Sequence, residues 1–351
     1  MEKYSRLPAI ISLYMRDVIV IGSATSDVFL KTSLPKIEWD CPFGKAVVLP
    51  LGEKMSAEGI VFTSGGNAMN ASVTFRRQKL KTAAVMRVGS DEAGRSVMAR
   101  LDHEGIDRKL SRFIPDIPTS YSAIFLEDGE RSIVNFKGAG EIIDSSAIDS
   151  KKMKAKWWYV SLPGKSYILL PKIIREANKA GARIALNPTG YHIKKGKDSL
   201  IKSLKGIDAL IVNESEAAEI TGIPWSDSKA VFKKLDILVD GIAAVTSGSA
   251  GCSVSDGFNI YKAGIFKERK FIDRTGAGDA FGSGFIAGLI KKGWAPGESS
   301  PEDISYAIRL GSANASSVVE QIGASEGALR DWEFNDLRFR KLDINISKLK
   351  K

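Results

Sequence analysis

Apolar positions along this chain fall into two patterns. Val18-Ile19-Val20-Ile21 is an unbroken β-branched run that stops at Gly22, as expected of a central parallel strand covered on both faces. After the middle of the chain, short runs at 157–162, 183–186, 209–212 and 243–246 alternate with helical spacing such as that of 168–180. Strands separated by helices predict an α/β fold with a doubly wound, mostly parallel sheet flanked by helices. The second pattern occupies 39–63, where Ala46-Val47-Val48-Leu49 and Ile60-Val61-Phe62 are set between Gly and Pro, and 120–136, where two apolar runs flank the turn Glu127-Asp128-Gly129-Glu130. Both stretches read as β-hairpin material, and two such insertions predict a small separate β-sheet. The expected organisation is one domain over 15–328 with inserted strands at about 38–63 and 118–137. Residues 1–14 form an extension and 329–351 a basic tail of weak apolar spacing. The apolar stretch before Tyr14 is short and poorly flanked for a secretory signal, and the first strand pattern opens after Met15, so translation from Met15 is the expectation.

Composition narrows the class. With 351 residues, 44% of them hydrophobic and 26% charged, the chain can bury a substantial core. No apolar run approaches the ~20 residues of a membrane span. Cys41 and Cys252 are far apart and form no CxxC pair, which predicts a reducing, cytoplasmic setting without structural zinc. His103 and His192 are the only imidazoles, which argues against a His triad or a multi-His metal site. The net charge of +10 is concentrated around Lys151–Lys156, Lys194–Lys197 and the tail. It reads as solvated lysines and a positive field suited to anionic substrates, rather than as a nucleic-acid footprint.

The chemistry centres on Asp273-Arg274-Thr275-Gly276-Ala277-Gly278-Asp279-Ala280-Phe281-Gly282, followed by a small-residue apolar run. Small residues, an acid and a helical pattern predict backbone N–H groups converging at a helix N-terminus, which binds anions. Asp279 is badly placed to hold a phosphate, because like charges repel, but well placed to take a proton from a group attacking one. The same residues would also suit an ordinary Asp at the start of a buried helix, so the other motifs decide. Gly65-Gly66-Asn67-Ala68-Met69-Asn70 opens a helix with glycines that allow close backbone approach and amides that suit hydroxyls. Asp27 follows the first strand, where ligands of open α/β sheets lie. Asn213 and Glu216 are three apart and can point to one volume. A carboxylate near a triphosphate needs an intervening cation, which suggests Mg2+ or its waters, although the same spacing is that of a capping box. Thr246-Ser247-Gly248-Ser249-Ala250-Gly251 turns out of a strand and can offer N–H and hydroxyl groups to phosphates. Two decoys fail: Gly164-Lys165-Ser166 lacks the glycine a P-loop needs at Tyr159, and Gly276, Gly278 and Gly282 do not have dinucleotide-fingerprint spacing.

Asp273-x-Thr275-Gly276-Ala277-Gly278-Asp279-Ala280-Phe281 resembles the C-terminal signature of the ribokinase-like (PfkB) family of carbohydrate and nucleoside kinases. Gly65-Gly66-x-x-x-Asn70 is similar to its N-terminal signature, and Asn213-x-x-Glu216 and Thr246-x-Gly248-x-x-Gly251 to its metal and nucleotide segments, all in family order. The resemblance implies a ribokinase-like fold whose small sheet is a lid that keeps water from the reaction. It implies an anion hole at Gly276, Ala277, Gly278 and Asp279 with Asp279 as catalytic base, and a substrate held by Asp27, Gly65, Gly66, Asn67 and Asn70. Nucleotide contacts would come from Asn187, Asn213, Thr246, Gly248, Gly251 and Asn314, with Mg2+ positioned by Glu216 through water. The implied reaction is ATP-dependent phosphorylation of a hydroxyl of a sugar, sugar phosphate or nucleoside, and the lid strands could pair in a homodimer. The rival is an inactive sugar-binding or nucleic-acid-associated protein on the same fold, against which the intact Asp279 argues. Two departures stand out: Arg274 replaces a residue that is commonly small or uncharged, and Gly327 stands where a serine ligand is common, which counts against activation by a monovalent cation. Lid residues Arg131, Asn135 and Lys137 leave the acceptor open.

Overall fold

The computed structural model describes residues 15–38, 44–127, 130–298 and 300–349, so the extension before Met15 lies outside the described residues. In chain order the elements are β1 (Arg16–Gly22), β2 (Thr25–Lys31), β3 (Lys36–Glu38), β4 (Lys45–Val47), β5 (Gly59–Gly65), α1 (Asn67–Arg77), β6 (Thr82–Val85), β7 (Arg87–Gly89), α2 (Glu92–His103), β8 (Arg112–Ile114), β9 (Tyr121–Glu127), β10 (Glu130–Phe136), β11 (Ala155–Ser161), α3 (Leu170–Ala180), β12 (Arg183–Leu186), α4 (Gly190–Ser203), β13 (Ala209–Asn213), α5 (Glu214–Thr221), α6 (Ser228–Leu238), β14 (Ile242–Thr246), β15 (Cys252–Ser255), β16 (Asn259–Ala263), α7 (Ala277–Lys291), α8 (Pro301–Val318) and β17 (Ile344–Lys348).

Among the described residues, nine strands form the main sheet in the order β17-β16-β15-β14-β13-β12-β11-β1-β6. The strands from β6 across to β14 pair in parallel, and β15, β16 and β17 add an antiparallel flank. Alternate residues of each strand enter opposite cores. Val18 and Val20 join Trp157 and Tyr159 beneath α1, α7 and α8, whereas Ile19 and Ile21 join Trp158 and Val160 beneath α3 to α6. This is why the central strands are apolar on both faces. Helices α7 and α8 cross with little between them. A Cβ on Gly288 would lie 2.5 Å from the Ala307 Cα, so the small-residue run is what lets α7 seat closely.

The second sheet has the order β10-β9-β2-β5, with β2 parallel to β9 and antiparallel to β5. Inserted material therefore does form a separate sheet, but β2 takes a place in it and the 45–47 strand does not. Thr25–Lys31 is not a loop after β1; it is the lid strand β2, whose residues 26–29 are all buried. Its polar start, Thr25-Ser26-Asp27, concealed it. Of the first insertion, 36–47 contributes only the two-strand β3–β4 ribbon, and β5 supplies the lid strand. The tail also packs: after two short 3-10 turns at 333–335 and 337–339, β17 pairs antiparallel with β16.

Candidate active site

The carboxyl ends of the parallel strands converge on the N-terminus of α7. Gly276 caps that helix in the left-handed region, φ 78° and ψ 0°, and a Cβ there would sit 2.4 Å from the Ala324 carbonyl. Only glycine meets both demands. The first-turn N–H groups of a helix lack intrahelical partners, and at Gly278 no atom lies within 4 Å of where a Cβ would be. The turn is therefore open beside Gly278, while the Ala277 N–H is given to the Arg274 carbonyl at 3.3 Å. Asp273, buried at the base of the loop, fixes its shape: one carboxylate oxygen accepts from the Thr275 N–H at 2.9 Å and hydroxyl at 2.6 Å, and the other from the Gly323 N–H at 3.4 Å.

Asp279 is half-buried at the third position of α7 and accepts a 2.9 Å bond from the Asn70 amide. Burial pushes its carboxyl up to about 6, against the pull of that bond. Asn67 donates to the Ser161 hydroxyl at 2.9 Å at the end of β11. On the lid, Asp27 is buried, its carboxyl raised by burial despite bonds from Ser122 and Thr25, the latter at 2.8 Å. A Cβ on Gly65 would fall 1.9 Å from the Asp27 carboxylate, and one on Gly66 2.7 Å from the Ser23 carbonyl. The two glycines let the lid strand and the start of α1 close on one another. Asp27, Gly65, Gly66, Asn67, Asn70 and Asp279 thus form one connected line from lid to helix terminus.

Asn213 and Glu216 form the capping box: each accepts a 2.9 Å bond from the other's backbone N–H. Besides making the cap, Glu216 lies in the field of Asp279. Its carboxyl is raised, chiefly by burial and further by Asp279. Two carboxylates that repel across a site fit a cation between them. Among the described residues no cluster of three or more acidic, His or Cys side chains could hold a metal by itself. A Mg2+ here would therefore depend on water and substrate oxygens, which is how that ion is commonly held.

A cavity of about 310 Å³ opens beside this terminus, lined by Thr246, Gly248 and Gly251 on one side and by Ala277 and Gly278 on another. Ile265, Phe271 and Phe281 make its walls apolar, and Arg274 sits at its rim, paired at 3.1 Å with Glu130 of the lid. Asn187 anchors to the Ile211 carbonyl at 3.0 Å at the end of β12. Asn314 is turned away: its amide donates to the Thr74 hydroxyl and the Ala280 carbonyl, and its oxygen accepts from the Leu329 N–H. Its neighbours Ser312, Ala315 and Ser316 reach the cavity instead. The resemblance placed Asn314 near the nucleotide by its position in the family order, which does not fix the face of the helix it occupies. The sequence reading also passed over Ser161, Thr25, Ser122 and the wall residues Ile265 and Phe271. None belongs to a motif. Tyr159, beneath Asp279, was noticed only as the missing P-loop glycine. Its hydroxyl is buried without a partner, and burial and Asp279 hold it protonated.

The chain matches the description "pfkB family carbohydrate kinase" over residues 15–331. It is 28% identical over 284 residues to a ribokinase of Haemophilus influenzae, covering 78% of this chain and 86% of that one. It is 24% identical over 316 residues to a cytidine kinase of Thermococcus kodakarensis, covering 88% and 98%. The fold superposes on an Arabidopsis thaliana ribokinase complexed with ribose and ATP with a TM-score of 0.73 at 22% identity, over 93% of this chain and 99% of that one. Sequence match, fold and the helix terminus opposite a lid agree: the chain belongs to the pfkB family of carbohydrate kinases and is an ATP-dependent sugar or nucleoside kinase.

Proposed function

We propose that this kinase transfers the γ-phosphoryl group of ATP to a hydroxymethyl group of a sugar or nucleoside, with Asp279 as base and the Gly276–Asp279 backbone as anion hole. The observation that carries the reading is the pair of carboxylates at the two ends of one line of contacts, buried Asp27 on the lid and half-buried Asp279 at the helix terminus. Asp27 orients the acceptor by accepting from its other hydroxyls, together with the amides of Asn67 and Asn70. Asp279 takes the proton of the attacking hydroxyl, and its raised affinity for protons suits that task near neutral pH. The N–H groups at Gly276–Asp279 receive the charge that develops on the transferred group. Bound Mg2+ would neutralise phosphate charge; Glu216 is the residue here that would orient its waters. The lid excludes competing water, and the cavity beside α7 takes the nucleotide base and ribose. Residues Ile60, Phe62, Val134 and Phe136 are exposed on the lid face opposite Asp27, which supports the reading of the lid as a homodimer contact in a cytoplasmic enzyme. A one-chain native mass in solution would remove the dimer.

The reaction is tested by ADP release on a panel of pentoses, hexoses, their phosphates and nucleosides, with wild type and Asp279→Asn side by side. Turnover of at least one acceptor by wild type and a drop of about 10²- to 10⁴-fold in kcat for the variant are expected, with ATP affinity largely kept. Equal turnover by the two proteins would remove Asp279 from the mechanism.

A further inference from the structure

Between β16 and α7 the chain runs through 264–274 without regular secondary structure. Every third residue of it, Ile265, Glu268, Phe271 and Arg274, lines the cavity beside α7. An irregular segment has no ladder to hold it in place, so the bonds on its outer side decide its position. From α8, the Ser316 hydroxyl donates to the Phe266 carbonyl at 2.9 Å, and the Val319 carbonyl accepts from the Ile272 and Asp273 N–H groups. The Ser312 hydroxyl adds a longer bond to the Gly264 carbonyl at 3.4 Å, and a further set of anchors, in the middle of the segment, comes from the tail or from residues the tail holds. Arg338 donates to the Lys267 carbonyl at 3.1 Å and forks onto both carboxylate oxygens of Glu320. Glu320 in turn accepts from the Arg269 N–H at 2.6 Å, and Asp336 accepts from the Arg269 guanidinium at 3.4 Å. Phe339 meets Phe266 edge to face at 5.2 Å, and both rings are buried. β17 then adds to the sheet edge next to β16, the strand from which the segment departs. All these tail residues follow Asp331, where the family match ends.

We infer that the C-terminal tail is the outer buttress of the nucleotide cavity, with Arg338 as its positioning residue and Phe339 as its apolar anchor. Arg338 does not line the cavity. It fixes Lys267 directly and Arg269 through Glu320, the two residues that flank Glu268, and so sets the spacing between the wall and the N-terminus of α7. The planar fork matters because one guanidinium satisfies a buried carboxylate and a carbonyl together. The inference rests on the reading of this cavity as the nucleotide site.

Titration of Mg·ATP into the full-length protein by calorimetry tests it. Arg338→Ala is expected to raise Kd about three- to thirtyfold at full stoichiometry, Phe339→Leu to raise it less, and Arg338→Lys to recover part of the loss. A general folding defect would lower the binding stoichiometry and leave Kd alone. Wild-type Kd in Arg338→Ala, or a loss confined to stoichiometry, overturns the inference. Should that variant fail to fold, Phe339→Leu carries the same test, with unchanged Kd as the overturning result. Photolabelling of wild type with 2-azido-ATP separates the two layers of the argument. Label on 265–271 is expected. Label confined elsewhere removes both the nucleotide reading and the buttress, whereas label there with unchanged Kd in the variants removes the buttress alone.

Discussion

Asp279 has to be ionised to accept a proton, yet its surroundings favour the protonated form, raising the carboxyl to about 6. Activity should follow from that. kcat/KM, which reports the free enzyme, is expected to fall tenfold per pH unit below an apparent value near 6, and an acid limb near 4 would count against Asp279 as the base. The same shift has a consequence for stability. A carboxyl whose folded affinity for protons exceeds its unfolded one contributes stability below about 4 that is lost as pH rises through 6. At pH 7.5 the ionised side chain therefore costs stability in the empty enzyme. Asp279→Asn removes the charge and leaves an oxygen for the Asn70 amide. In the absence of ligands it is expected to melt above wild type at pH 7.5, with the gap closing as pH falls below 6. A lower melting temperature for the variant at pH 7.5 would show that the carboxylate is held by favourable contacts. Asp279 was readable as a base candidate from its place in the motif. The opposing pull of Asn70, 209 positions away, needed the fold, because only the packing of α1 against α7 brings the two side chains together.

The N-terminus of α7 offers an internal comparison, since two glycines two positions apart, one the cap and one in the first turn, serve different ends. Gly276 is demanded by the backbone, with φ of 78° and the Ala324 carbonyl 2.4 Å from a Cβ. Gly278 has helical geometry and open space around it, so nothing in the fold requires it. Gly276→Ala is expected to lose both stability and activity, whereas Gly278→Ala should keep or raise the melting temperature, since Ala in a helix is favoured over Gly by ~1 kcal/mol. Activity should nevertheless fall at least about tenfold, because the methyl group fills the space a phosphoryl group would approach. Normal activity in Gly278→Ala would place the transferred group elsewhere. From sequence the two glycines are indistinguishable members of one motif. Helix α5 shows the same limit from the other side. Asn213-x-x-Glu216 on its own favoured a cap over a metal role, and the capping box is what the structure contains, with Glu216 also in the field of Asp279. Strand β2 was missed altogether, since what makes it a strand is pairing with β5 and β9 on either side, neither of which is near it in sequence.

Across the whole molecule, the parallel half of the main sheet was legible because buried strands write themselves as apolar runs, while the antiparallel flank and the tail were not. β17 is largely exposed, with residues such as Asn345 and Lys348, and its assignment depends on β16 being there to pair with it. The same distinction applies to His192, which composition offered only as a spare imidazole. It lies fully buried in α4, stacked on Tyr167 at 5.3 Å, and neither ring nitrogen has a partner. Burial lowers its affinity for protons to about 4, from an ordinary value of 6.5. Between those values the unfolded chain binds a proton that the folded chain refuses, so stability rises with pH across that window and is complete above about 6.5. The largest contribution from this single group is about 3 kcal/mol over the window. The raised carboxyls of Asp279 and Asp236, both about 6, act in the opposite sense over the same range, so the wild-type curve alone cannot isolate the imidazole. A difference measurement can. His192→Phe keeps the stacked ring and removes the titration, and every other group cancels when its unfolding free energy is subtracted from that of wild type. Urea unfolding at pH 7.0, 5.5 and 4.5 is expected to show wild type losing ground to the variant by about 2 to 3 kcal/mol between the first and last pH. A difference that stays constant with pH would mean that the folded protein lets His192 take its proton, and that the enclosure around Tyr167 opens below pH 6.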